Sequence, residues 1–247
     1  MDGRMHRRGA LTRAPWLLAA LLAAVAWGPS AVLGQGFAEL EVIAYGAQRF
    51  DLATGFTELP DGGEAIERRT GVRLSAPWLR YAEGERLEAR DALVEGDFGR
   101  IEAPVLRLDI AARVLSAEAA STEGEDEPVA AGGAGLVQLS WDDGAVEAER
   151  LRFDAESGWL WLAGSVRGEV PALEASQVGY VSTSGVIVLL PPYRYEDGPL
   201  VLRADAAGAP LQLTPDRDGD GVLLGYDAST TLSDEVRSGL ETRPDEP

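Results

Sequence analysis

Twelve residues near the C-terminus, Asp216-Arg-Asp-Gly-Asp-Gly-Val-Leu-Leu-Gly-Tyr-Asp227, carry oxygen ligands at the spacing of a calcium loop. Asp216, Asp218 and Asp220 fill positions 1, 3 and 5, Gly221 the turn at 6, Leu223 the apolar position 8 and Asp227 position 12. Carboxylates at alternate positions can wrap a hard cation, and the glycine permits the sharp turn. Asp at position 12 reaches less far than the usual Glu, and Ala209–Thr214 before it reads as strand instead of helix. A solvated acidic turn fits the same residues, so calcium stays one of two readings.

Little else in the chain could do chemistry. Cysteine is absent and the single His stands at position 6, which removes disulfides, thiolate metal sites and His-based catalysis. No G-x-S-x-G elbow, phosphate loop or dinucleotide motif occurs. Carboxylates are plentiful, but nothing marks two of them as a glycosidase-like pair. No enzyme is expected, and no cofactor other than the candidate calcium.

The elements that carry these residues show in a repeat. Four stretches, LSAPWLRY, IEAPVLRL, VEAERLRF and LEASQVGY, start at Leu74, Ile101, Val146 and Leu173, with spacings of 27, 45 and 27. The middle spacing also becomes 27 when 18 residues around the acidic, Gly-rich run Glu118–Gly135 are set aside. Counting from the first apolar residue, position +2 is Ala76, Ala103, Ala148 and Ala175. Position +5 is Leu79, Leu106, Leu151 and Val178, and +7 is Tyr81, Leu108, Phe153 and Tyr180. The match runs on to +13 (Leu87, Val114, Trp159, Val186) and +15 (Ala89, Ser116, Trp161, Val188). Repetition at this period marks a structure built by stacking one supersecondary unit.

Even steps from 0 to +2, +5 to +7 and +13 to +15 are the period of a half-buried strand. The odd step from +2 to +5 inserts one residue, and a bulge or corner there keeps both pairs on one face. Pro77 and Pro104 lie in that step, where a strand tolerates a missing N–H. Five mostly polar residues between +7 and +13 read as a turn. Each unit is therefore a bent strand, a turn and a returning strand. A degenerate first copy places Ile43, Phe50 and Phe56 at 0, +7 and +13, and Leu202-Arg203-Ala204 echoes a last one. Val186–Leu190 reads as a buried strand ending at Pro191-Pro192, and Ser233–Leu240 as a short helix capped by Ser233. The expected fold class is all-β: stacked antiparallel hairpins forming a folded-over sheet, with a short C-terminal helix. A parallel β-helix is the alternative stacking.

The first residues are of another kind. Arg4, Arg7, Arg8 and Arg13 precede an apolar run, Trp16–Trp27, then small residues with Val32 and Gly34 before Gln35. That order is a secretory signal over residues 1–34; a retained inner-membrane anchor is the alternative. The run is short for a bilayer span. Residues 35–215 then form the repeat domain, with the insertion at 118–135, and 216–247 an acidic loop and tail. Residues 1–34 carry four Arg and one Asp, so of the formal charge of −19 the exported part holds −22. Such a charge repels phosphate backbones, and no nucleic-acid partner is expected.

The recurring apolar-x-Ala-x-x-Leu-x-Tyr units resemble the OstA-like family, the periplasmic β-jellyroll or "β-taco" domains of the LptA and LptC type that serve lipopolysaccharide transport. The resemblance covers roughly residues 37–213. It implies a trough that takes acyl chains of a lipid or glycolipid. Its lining would be Leu74, Ala76, Leu79, Tyr81, Ile101, Ala103, Leu106, Leu108, Val146, Ala148, Leu151, Phe153, Trp159, Trp161, Leu173, Ala175, Val178 and Tyr180. It also implies periplasmic location and end-to-end contact, through open sheet edges, with other OstA-like proteins or with a second copy. Two other functions remain open on the residues alone: a structural β-solenoid scaffold with a dry core, and a calcium-stabilised surface binding module.

Overall fold

The computed structural model describes residues 40–68, 71–96, 99–120, 135–141, 144–169, 172–218 and 223–243. The signal segment at 1–34 and most of the acidic insertion lie outside them. The described chain forms one antiparallel sheet and a helix. Its strands are β1 (Leu40–Ala44), β2 (Arg49–Phe50), β3 (Thr57–Leu59), β4 (Gly63–Glu67), β5 (Arg73–Ala76), β6 (Trp78–Ala82), β7 (Arg86–Gly96), β8 (Gly99–Asp109) and β9 (Val114–Glu118). They continue as β10 (Val137–Trp141), β11 (Gly144–Ala148), β12 (Arg150–Asp154), β13 (Trp159–Gly168), β14 (Ala172–Val181), β15 (Val186–Asp197), β16 (Leu200–Ala204), β17 (Leu211–Arg217) and β18 (Leu223–Ser229). The helix, α1, spans Asp234–Glu241.

The sheet is folded along one line, and the sequence explains where. β5 gives way to β6 at Pro77, β11 to β12 at Glu149, and β14 shifts register at Ser176. These are the +3 position of the repeat, where the inserted residue predicts a corner. The returning strands turn beside them: β7 at Asp91, where φ is 49°, and β13 at Gly164 and Ser165, with φ of 75° and 52°. A side chain on Gly164 would meet the Glu149 Cβ at 2.6 Å, so the corner needs a glycine there. β15 does not end at Pro191-Pro192, as the prolines suggest. It bends there and runs to Asp197. The acidic insertion leaves β9 and rejoins at β10, at this same line.

Two leaves result. One contains β1, β4, β5, β10, β11 and β16; the other contains β2, β3, β6, β9, β12, β17 and β18. The long strands β7, β8, β13, β14 and β15 pass through both. In the second leaf a single row of directly paired residues runs Leu59, Leu79, Ala89, Leu106, Ala117, Leu151, Leu162, Val178, Leu189, Leu211. The first leaf answers with Val42, Ala65, Leu74, Val94, Ile101, Leu139 and Val146. One hydrophobic cluster takes in the inward side chains of both leaves. Full burial of each Leu, Ile or Val contributes about 1.5–3 kcal/mol, so the row is the main source of stability in a chain without disulfides.

The returning strand corrects the repeat. In the first copy three residues, 83–85, separate Ala82 from its partner Arg86, and Leu87 and Ala89 point inward as expected. The other three copies have four-residue turns, at 110–113, 155–158 and 182–185. One extra turn residue moves the strand by one register, and every side chain changes face. Leu115 and Ala117, Leu160 and Leu162, and Ile187 and Leu189 are therefore the inward pairs. Trp159, Trp161, Val186 and Val188 lie on the outer face instead.

That outer face is not left open. Trp159, Trp161, Val181, Val186, Val188 and Leu190 form a second cluster with Val236 of α1, flanked by Leu232 and Leu240. Ser233 caps α1 as its residue type predicts, its Oγ accepting from Val236 N, while its own N–H donates to Gln212 Oε1 at 2.8 Å. The sheet also extends beyond the expected boundary at 215. β17 runs to Arg217 and pairs with β18, where an acidic loop is the sequence expectation. The degenerate first copy is out of phase as well: Leu40, Val42 and Ala44 pack inward, while Ile43 and Phe50 are exposed.

Candidate functional site

The folded sheet brings most of the expected lining together. Leu74, Ala76, Leu79, Ile101, Ala103, Leu106, Leu108, Val146, Ala148, Leu151, Phe153, Leu173, Ala175, Val178 and Tyr180 all belong to the interior cluster, each no more than 7% exposed. Tyr81 packs against its edge and is half-buried. The side chains of the two leaves fill the space between them. Trp159 and Trp161 do not belong to this lining. Their rings stack at 4.9 Å on the opposite face, 5° from parallel, beneath α1. Gly179 pairs directly with Trp161, and a Cβ there would fall 2.6 Å from one ring and 2.9 Å from the other. The glycine is the space into which the tryptophans pack.

The interior is apolar along most of its length and becomes phenolic at its C-terminal end. Along the inward positions of β5 to β14 no Asp, Glu or Arg is met; Tyr180, Tyr193 and Tyr195 follow, then Arg217 at the end of β17. Tyr226 on β18 pairs opposite Pro215 and packs on the core. Burial raises the pKa of Tyr180, and the proximity of Tyr226 raises it further, while Arg217 acts against both. Burial likewise raises Tyr226, with Tyr195 adding to it and Arg217 opposing. Tyr195 is pushed up to about 12, by burial first and then by the charge of Asp197, to which it is hydrogen-bonded. All of these phenols are neutral donors near pH 7. Leu160, Leu162, Leu189, Tyr195, Tyr226 and Arg217 were not marked by the repeat. The turn-length difference signals the first three; the last three lie beyond the final strong copy.

The calcium template resolves differently. Asp216 pairs with Gly225 and Asp227 with Thr214, inside the β17–β18 ladder, and Asp216, Asp218 and Asp227 are exposed. Positions 1 and 12 of the template therefore stand on neighbouring strands, diagonal to one another across the pair. Asp220 lies outside the described residues, and among the described residues no group of three His, Cys, Asp or Glu side chains is placed to hold a metal. The outer faces carry charge in cross-strand rows. One cleft of about 370 Å³ is bordered by Glu147, Arg167, Glu174 and Arg194, whose alternating signs offset one another.

No helix among the described residues is long and apolar enough to cross a membrane. No family model matches the sequence, and no curated protein matches it. Among solved structures the chain is similar to LptH, the LptA-homologous periplasmic component of the lipopolysaccharide transport device of Pseudomonas aeruginosa. Identity is 10%, the TM-score is 0.24, and the match covers 69% of this chain and 85% of that one. A likeness this remote says nothing of ligand or partner.

Proposed function

We propose that this protein is an exported, non-enzymatic carrier that takes the acyl chains of an amphipathic envelope lipid between its two leaves. The observation that supports the reading is the inward row from Leu59 to Leu211. It crosses ten strands without a charged group, between leaves that the described residues join along the corner line. Burying methylene groups contributes about 0.8 kcal/mol each, so a chain of roughly twelve gains about 10 kcal/mol before it loses freedom. That is enough to offset a local parting of the leaves at their tips, away from the corner. The free edges, β1 and β2 at one end and β16 and β18 at the other, would meet a second copy or another OstA-like envelope protein. Ile43, Tyr45, Phe50 and Leu52 are exposed at the first end, and Leu200 and Val201 on β16.

A second reading, an envelope scaffold with a permanently dry core, draws on one observation: the interior side chains already bury one another. Mass spectrometry of lipids that co-purify with the mature protein separates the two. The carrier reading expects a stoichiometric acyl lipid, lost in a folded Leu151→Asp variant. A lipid-free protein that also takes up no lipid on incubation with envelope extract leaves the scaffold.

A further inference from the structure

We propose that the N-terminal end of the stack docks on a lipid bilayer of low surface charge, with Phe50 and Leu52 entering its interfacial layer and Ile43 and Tyr45 beside them. The proposal goes beyond the carrier reading and stands without it. Leu52 is 89% exposed, Phe50 62%, Tyr45 59% and Ile43 41%. Leu52 stands in a turn that is already closed. Gly55 N donates to Asp51 O at 2.8 Å, and Asp51 N donates to Phe56 O at 2.9 Å. Asp51 turns its carboxylate back into the same turn, accepting from Ala53 N at 2.8 Å and from the Thr54 hydroxyl at 2.7 Å. A turn formed in advance loses little freedom when it inserts. The charge of Asp51, between Phe50 and Leu52, keeps that insertion at headgroup depth.

Three considerations favour a bilayer over another protein here. Of the free edges, β2 is the poorest for strand addition: it has two residues, against five in β1 and β16 and seven in β18. Apolar side chains on a turn and a two-residue strand suit a fluid partner, which requires no matching register. Aliphatic and aromatic groups with a Tyr among them are also the composition of an interfacial contact. The third consideration is where the chain comes from. Residues 28–39 separate the apolar run Trp16–Trp27 from β1, a length that spans at most about 40 Å. On the export reading, this end is the one that folds nearest the membrane. Charge then selects the kind of bilayer. A chain of net charge −19 is repelled by an anionic surface, so neutral headgroups are the better partner.

Co-sedimentation of the mature protein with vesicles tests it, using phosphatidylcholine alone and an equimolar mixture of phosphatidylcholine and phosphatidylglycerol. The protein should partition onto the neutral vesicles, and phosphatidylglycerol should weaken the binding. A variant with both Phe50→Ser and Leu52→Ser should lose at least about ten-fold in partition, which is what burying one such side chain contributes. Both residues are exposed in the free protein, so the urea midpoint of the variant should not move. Leu200→Ser, at the opposite end, should leave partition unchanged. Four results overturn the proposal: no partition, equal partition of the double variant, a comparable loss in Leu200→Ser, or tighter binding to the anionic vesicles. Sedimentation velocity tests the competing occupant. A dimer that the double variant disperses, with no vesicle binding, makes this end an interface between copies and overturns the bilayer. Vesicle binding without lipid uptake leaves the docking surface standing while the carrier reading falls.

Discussion

Gly239→Ala tests the seat of α1 through the sign of its effect. The added carbon would fall within 2.7 Å of Trp159 Nε1 and nearer still to Cε2 and Cζ2, where atoms in contact rest about 3.5–4.0 Å apart. Trp159 cannot retreat. It lies flat on Trp161, and both rings already press on the backbone at Gly179. α1 must move outward, which loosens Val236 from the second cluster. In an exposed helix the same substitution stabilises by about 1 kcal/mol, because Ala is the better helix former. Here overpacking costs about 1–3 kcal/mol, so the net effect is a destabilisation of up to about 2 kcal/mol.

A thermodynamic cycle isolates the contact. In a Trp159→Val background the clash is gone, and Gly239→Ala should stabilise by the helix-propensity gain. The effect of Gly239→Ala should thus differ between the two backgrounds by about 1–3 kcal/mol, the overpacking energy itself. Urea unfolding followed by far-UV circular dichroism measures all four proteins on a common signal. Tryptophan emission of the single Gly239→Ala variant should shift to the red as water reaches the stack. Equal effects of Gly239→Ala in both backgrounds would refute the docking of α1 on the tryptophan pair.

Two further outcomes follow from burial and ionisation. Leu151→Ala, in the middle of the inward row, should cost about 2–5 kcal/mol, whereas Ile43→Ala, exposed on β1, should stay within about 0.5 kcal/mol; similar losses at both sites in urea titrations would contradict the inward row. At alkaline pH stability should fall. Tyr180, Tyr193, Tyr195 and Tyr226 have folded pKa values raised above the ordinary 10.0, so the folded state holds protons the unfolded state releases. Their contribution is fully present below pH 10 and is lost as pH rises through about 12, where Tyr195 ionises. Melting temperature against pH should drop over that window, less steeply in Tyr195→Phe; an unchanged slope counts against the phenolic end of the core.

The bend of each unit was legible because it depends on local chemistry. An odd step between apolar positions, with proline in two of four copies, marks Pro77, Pro104, Glu149 and Ser176 as corners, and the sheet folds at that line. The returning strand was not legible from periodicity. β13 begins WLWLA and β15 begins VIVLL, so either phase presents an apolar face. Only turn length, three residues in the first copy against four in the others, chooses between them. The cover over the outer face comes from α1, distant in sequence, and no local pattern in β13 announces it. The acidic positions from Asp216 to Asp227 read two ways for a related reason, and Asp216 and Asp227 stand on paired strands. Ligand positions 1, 3 and 5 of a calcium loop share the period of two that places alternate residues on the outer face of a strand.

The outer face solves one problem in two ways, and the difference bears on where partners can dock. At the N-terminal end Phe56 and Trp78 are covered by guanidinium groups: Arg80 lies 5.1 Å and Arg86 5.9 Å from the Phe56 centroid, and Arg90 lies 4.7 Å from that of Trp78. Arg80 is held in turn by Glu88, and Trp78 by Glu58. Cation–π contacts of this kind contribute about 0.5–1 kcal/mol each where exposed, enough to keep aromatic surface from solvent without an added element. At the C-terminal end the tryptophan pair needs a helix. With both aromatic patches covered, the large apolar side chains exposed among the described residues are Ile43, Tyr45, Phe50 and Leu52 before β3, and Leu200 and Val201 on β16. They stand at the first and last strands of the stack. Among the described residues the exposed large apolar side chains therefore lie at the ends, along the axis on which the interior runs, and away from the faces, where rows of Arg and Glu keep the sheet solvated.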